Sequence, residues 1–142
     1  MATHLKPNMI LKQNIPYAAL IYSALDLCDI MLTRSSTLYP FAVMSIDNDV
    51  QCVFTPNLNE HPQNGMIEDL SAQCREQRLL AENAISVIVY CATISTPQGD
   101  ESDAIVFNIT DSNDKNTVTL YPYEHDTNAI KLGIPFTCDF AD

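Results

Sequence analysis

Residues 85–94, ISVIVYCATI, decide the fold of this chain. Ile85, Val87, Val89, Cys91 and Thr93 alternate with Ser86, Ile88, Tyr90, Ala92 and Ile94, and both alternating sets are largely apolar. A run this dense in β-branched residues, apolar on both sides, predicts a strand covered on both faces inside a sheet.

Downstream, residues 96–102 form an acidic turn containing Pro97 and Gly99. Residues 103–110 (DAIVFNIT) and 117–123 (TVTLYPY) then read as a hairpin joined through 111–116. Upstream, residues 65–82 fit a helix. Asn64 is placed to cap it, Glu68 and Asp69 fall in its first turn, and Arg75 and Arg78 follow, an order that complements the helix dipole. Met66, Ile67, Leu70, Cys74 and Ala81 make a narrow apolar face, which predicts an outer helix. Residues 56–64, PNLNEHPQN, are polar with two prolines and predict a loop.

Residues 39–55 predict a first hairpin, turning at Asp47-Asn48-Asp49, whose side chains tolerate positive φ. Before it, residues 17–32 predict a helix entered at Ile15-Pro16. Its polar positions Tyr22, Asp26, Asp29 and Thr33 form one stripe, and most of the remaining circumference is apolar, so burial on more than one side is expected. At the other end, Ile130, Leu132, Ile134, Phe136, Cys138 and Phe140 fall on every second residue. That is a strand pattern, but Gly133 and Pro135 weaken it and predict an edge strand or an extended arm laid over the core.

The expected architecture is α+β: a mainly antiparallel sheet of about five to six strands with two helices, in the order α-β-β-α-β-β-β, closed by an extended C-terminal strand or arm. Helices on one face of the sheet accommodate this order. One domain spanning 1–142 is expected, with 1–14 as a flexible arm. In element order alone this is similar to profilin-like and roadblock-like domains, which share helix–hairpin–helix–three strands; the strand-like tail differs from their closing helix. A likeness of element order implies no function.

Charge and composition narrow the chemistry. The net charge is −11, from 18 acids and 7 bases, and nine of the acids lie in 96–142. No basic footprint exists to neutralise phosphates, so nucleic acid and anionic membrane surfaces are not expected partners. No apolar run reaches the roughly 20 residues that span a bilayer. Five cysteines at odd, wide spacings (28, 52, 74, 91, 138) predict reduced thiols and a cytoplasmic protein. Three isolated glycines cannot write a P-loop or a dinucleotide fingerprint, and HExxH, CxxC and GxSxG are missing. No cofactor and no metal is expected.

The string 111–116, DSNDKN, fails as a calcium loop because Lys115 takes a ligand position and Asn116 replaces the turn glycine. Asn108-Ile109-Thr110 is a glycosylation sequon inside an expected strand. Of His4, His61 and His125, the last sits beside Glu124 and Asp126. A nucleophile pair would need it to meet a cysteine such as Cys91. The candidate interface or pocket residues are Tyr39, Phe41, Tyr121, Tyr123, His125 and Phe136, against the plainer reading that these aromatics are core and rim of a sheet.

The expected function is a non-catalytic acidic interaction module. Homodimerisation is expected, and a basic protein, as for an inhibitor or immunity-type protein, is the second expected partner. The alternative is a small-molecule-binding protein or an enzyme with an unfamiliar site built around a histidine.

Overall fold

The computed structural model describes residues 17–35, 38–54, 63–126 and 129–138. Its elements are α1 (Ala18–Ser35), β1 (Phe41–Ile46), β2 (Asp49–Phe54), α2 (Gln63–Leu80), β3 (Ala84–Ser95), β4 (Glu101–Thr110), β5 (Asn116–Asp126), β6 (Ala129–Leu132) and β7 (Phe136–Cys138). The strands form one antiparallel sheet in the order β2-β1-β3-β4-β5-β6, with β7 also paired to β5. The expected α+β class, strand-rich hairpins and two helices are present. The tail contributes two short strands rather than one, which brings the sheet to seven.

β3 pairs on both sides, Val87 with Val43 of β1 and with Ile109 of β4. Its odd-numbered side chains join Phe41, Val43, Ile105, Phe107, Ile109, Tyr121 and Tyr123 beneath Leu20, Ile21, Ala24, Cys28 and Leu32 of α1. Ile88 points the other way, into a smaller cluster with Ala42, Met44, Leu70 and Cys74, the last two from α2. The helices therefore lie on opposite faces of the sheet, not on one. The physical reason is β3 itself: a central strand with large apolar side chains on both faces needs a cover on each.

α1 also departs from expectation. Its buried residues follow one stripe at spacings of one, three, four and four, while Leu25, Leu27 and Met31 are half-buried flanks. Ile30 is 51% exposed, so the helix is buried on a single side. Tyr22, Asp26 and Asp29 face solvent as the polar stripe predicts. α2 begins at Gln63 and ends at Leu80, two residues earlier at each end than expected, so Asn64 lies inside the first turn. It is an outer helix anchored by Met66, Leu70 and Cys74, with Leu79 and Leu80 exposed.

The turns follow local chemistry. Asp47 (φ 51°) and Asn48 (φ 74°) both take positive φ, a two-residue type I′ turn whose twist matches its flanking strands. Between β3 and β4, the Thr96 amide donates to the Asp100 carbonyl at 2.7 Å, and Gly99 supplies φ 95°. Between β4 and β5, the Asp111 carboxylate accepts from the Asn113 and Lys115 amides at 2.8 and 2.9 Å. That is a self-capped polar turn, which occupies the carboxylate the calcium-loop reading would need.

The C-terminal alternation is interrupted. Leu132 of β6 pairs with Tyr123, and Phe136 of β7 pairs with Leu120. The tail thus spends four steps where β5 spends three. One extra residue moves Phe136 and Cys138 to the sheet face opposite Ile130 and Leu132. The bulge sits against Pro122, which has no N–H to offer a neighbour there, and Pro135 lacks one on the tail side. The Gly133 amide donates to the Pro122 carbonyl at 2.7 Å. A Cβ at Gly133 would meet that oxygen at 3.4 Å and the Pro122 Cβ at 3.5 Å, so a single methyl fits in contact with Pro122.

Gly133→Val is expected to cost about 1–3 kcal/mol, and Gly133→Ala much less. Thr119 is fully buried and, among the described residues, its hydroxyl has no hydrogen-bond partner. Thr119→Val removes an unsatisfied group and should leave stability unchanged or raise it by about 1 kcal/mol. Thermal melts of the three variants check these signs; a melting temperature lowered by Thr119→Val would show that the hydroxyl is satisfied.

Candidate functional site

β5 places Tyr121, Tyr123 and His125 on the face that α1 covers, because alternate residues of a strand share a face. Tyr121 is buried edge-on against Phe107, with ring centroids 5.6 Å apart. Tyr123 is 8% exposed and meets His125 edge-on at 5.9 Å, while His125 itself is exposed at the sheet rim. Phe41 lies on the same face three strands away, fully buried and stacked on Phe54 at 5.9 Å. Tyr39 is 47% exposed ahead of β1, and Phe136 occupies the opposite face of the sheet. Of the six sequence candidates, only Tyr121, Tyr123 and His125 are brought together. Phe41, Tyr121 and Tyr123 are core side chains.

Sequence reasoning named Cys91 as the cysteine that a His125 nucleophile pair would need, and missed the contact that the fold gives it with Tyr123. Cys91 of β3 approaches Tyr123 across β4, its sulfur 3.6 Å from the tyrosine hydroxyl. Asp103 of β4 lies at the edge of the group and accepts a hydrogen bond from Thr93 at 3.4 Å. Cys28 of α1 closes the seam from above. The available signal was parity: odd-numbered positions of β3 and β5 share a face once the hairpin register is known.

The electrostatics oppose nucleophilic chemistry at this seam. Burial pushes the Cys91 thiol up, with the Asp103 charge adding to the shift and the Tyr123 hydroxyl opposing it. Burial also pushes Cys28 and Tyr123 well above their ordinary ranges. A thiol is nucleophilic as the thiolate, so Cys91 and Cys28 are held in their unreactive forms at neutral pH. Tyr123 contacts both Cys91, through its hydroxyl at 3.6 Å, and His125, edge-on at 5.9 Å. This seam is packing with a few polar atoms, not an activated nucleophile.

The other face carries two adjoining hollows. A groove of about 420 Å³ runs between the Thr96–Glu101 turn and the tail bulge, lined in part by Pro97, Asp100, Glu101, Glu124, Pro135 and Phe136. A hollow of about 180 Å³ adjoins it across Pro122, with Tyr123, Glu124 and Lys131 in its wall. Phe136 is therefore a groove residue, as is Glu124 beside it. No histidine lines either hollow. Among the described residues no three His, Cys, Asp or Glu side chains converge as a metal site. His4 and His61 lie outside the described residues, and so does the Asp126 side chain. Asn108 of the sequon is a half-buried β4 residue whose side chain accepts a hydrogen bond from Asn116.

Arg78 is the one strongly desolvated cation among the described residues. It donates to Ser86 at 2.6 Å, lies 3.8 Å from the exposed Asp114 carboxylate, and carries a buried Nε with no partner among the described residues. It ties the last turn of α2 to the sheet, where its charge also favours the helix C-terminus.

No helix among the described residues is long and apolar enough to cross a membrane. No family model matches the chain, and no curated protein or solved structure matches it either.

Thiol labelling at pH 8 is expected to modify the exposed Cys52 and Cys138 rapidly and Cys91 slowly, leaving Cys28 and Cys74 unlabelled in the folded protein. Cys91 labelling faster than a free thiol would overturn the inert-seam reading. Burial also raises Cys74 from 9.0 to about 11. A thiol raised in the folded state contributes stability fully present below pH 9 and lost as pH rises through 11, as the unfolded chain alone ionises. Denaturation midpoints across pH 7–11 should therefore be level at first and then fall.

Proposed function

We propose that this protein is a non-catalytic interaction module that works as a homodimer. The observation that supports this reading is the exposed apolar surface at the β1–β2 end of the sheet. Val50 is 55% exposed and Phe54 51% exposed, on one face of β2 with exposed Cys52 between them, and Tyr39 stands half-exposed two residues before β1. On a chain of charge −11, β2 carries a single charged residue, Asp49. Apolar side chains gathered where charge is depleted mark the core of an interface rather than a solvated surface. The thiols of the seam, Cys28 and Cys91, are meanwhile desolvated and held protonated, which lends catalysis there no support.

A second reading, a basic protein partner, is favoured by the acid-lined groove beside Glu124. Asp100, Glu101 and Glu124 stand around a floor of Pro97, Pro122, Pro135 and Phe136, which would suit a cationic side chain on an apolar stem. An inhibitor or immunity-type protein that masks a basic surface would use such a groove.

Light scattering at tens of micromolar is expected to give about twice the 15.8 kDa chain mass. Phe54→Ser should move the population toward monomer without lowering the melting temperature of the monomer by more than about 1–2 kcal/mol equivalent. A strict monomer throughout that range removes the homodimer.

For the basic partner, calorimetric titration with a lysine-rich peptide at low salt should show binding that weakens with added salt and in the Glu101→Gln, Glu124→Gln double variant. No heat at low salt, or binding indifferent to both changes, removes that reading.

A further inference from the structure

We infer that the homodimer forms by antiparallel pairing of β2 with β2 of a second copy, about a two-fold axis at Cys52, so that the two sheets become one. This rests on the homodimer reading and specifies its geometry.

The backbone comes first. β2 ends the sheet, and among the described residues no strand pairs with its outer side. In a two-residue type I′ hairpin the flanking residues, Ile46 and Asp49, form the narrow hydrogen-bonded pair. Residues 49, 51 and 53 therefore aim their N–H and C=O groups at β1. Val50, Cys52 and Phe54 aim theirs outward, and these same three carry the exposed side chains.

The two edges of the sheet are also built differently. The β6–β7 edge is short and bulged, with Gly133, Pro135 and Lys131 in it. Those are the devices by which a sheet edge resists pairing with another chain. β2 has six residues, no proline, no lysine and no bulge, and its pairing with β1 is unbroken from Asp49 to Phe54. One edge is guarded and the other is left open.

Charge selects a second copy as the occupant. A basic partner would be drawn to the acids, half of which lie in 96–142, and β2 offers it only Asp49. A like molecule of charge −11 can approach closely only where charge is sparse.

The register follows from which groups point outward. Pairing requires Val50, Cys52 and Phe54 to meet the same set on the partner strand, and the register that engages all three places Val50 opposite the partner's Phe54, and Cys52 opposite the partner's Cys52. A slip of two residues engages only two of the three. In the full register the two copies of Asp49 lie at opposite ends of the paired stretch, so no like charges oppose. The two-fold axis then runs perpendicular to the sheet, and six side chains form one stripe on the α1 side.

The test uses the full chain. With Cys52→Ser and Cys138→Ser removing the exposed thiols, a nitroxide on Asp49→Cys should report an inter-chain separation of about 20 Å; slips of two residues predict about 14 or 27 Å. Val50→Lys should raise the dimer dissociation constant roughly tenfold or more, and amide exchange at Val50, Cys52 and Phe54 should be slow in the dimer and fast in that variant. A dimer that survives Val50→Lys with a different separation overturns this inference and leaves the homodimer standing. A monomer with fast exchange at these amides overturns both. A monomer in which they are protected overturns both too, and assigns the edge to a segment of the same chain.

Discussion

The two-sided pairing of β3 is the constraint from which the rest of the structure follows. Its odd-numbered side chains need one cover and its even-numbered ones another, and among the described residues α1 covers the broad face with Phe41 and Phe107 and α2 the narrow face with Met44 and Ile88. Burying each large apolar side chain contributes about 1.5–3 kcal/mol. A helix lost from either face would strand several such residues in water. The large cluster extends over four strands while the small one rests mainly on β1 and β3, which is why α2 can be the narrower and more polar helix.

A second constraint acts at the far end of the sheet. Pro122 lies in the middle of β5, and a proline inside a strand is tolerated only where no neighbour needs its N–H. The tail meets this by breaking at Gly133–Pro135, opposite the gap. That break has two consequences. It flips the alternation, so Ile130 packs toward α1 while Phe136 faces the other side. It also opens the groove between the bulge and the β3–β4 turn, so the same backbone accommodation both guards the edge and makes that hollow.

Much of the fold was legible because local chemistry and burial agreed. The type I′ turn at Asp47-Asn48, the Pro97–Gly99 turn and the Asp111 cap all rest on side chains whose preferences act within a few residues. Burial of β3 on both faces could be read from its composition alone. What could not be read was relational. The six period-two apolar positions of the tail looked like one face, because an inserted bulge residue changes parity without changing composition. The apolar width of α1 overstated its burial, because Ile30 is apolar yet 51% exposed. The helices were placed on one face because element order does not say which side a connection crosses to. The Cys91–Tyr123 contact depends on the register across β4, which no local signal encodes.

The distribution of polar groups explains why the surface, rather than the interior, carries the functional reading. A catalytic site needs desolvated groups poised to change charge, with a base or a counter-charge in contact. Here the desolvated ionisable groups near Tyr123 are two thiols and a phenol held neutral, and Asp103 pushes Cys91 and Tyr123 further in the same direction. Arg78, the most desolvated cation among the described residues, joins α2 to Ser86 and Asp114. The acids remain at the exposed turns and on the rim of the groove. A molecule arranged this way presents two unlike surfaces: an apolar, nearly uncharged strand edge at β2, and a strongly acidic end around Glu124. Because the sheet order puts β2 at one extreme and β6 at the other, occupation of one surface leaves the other open.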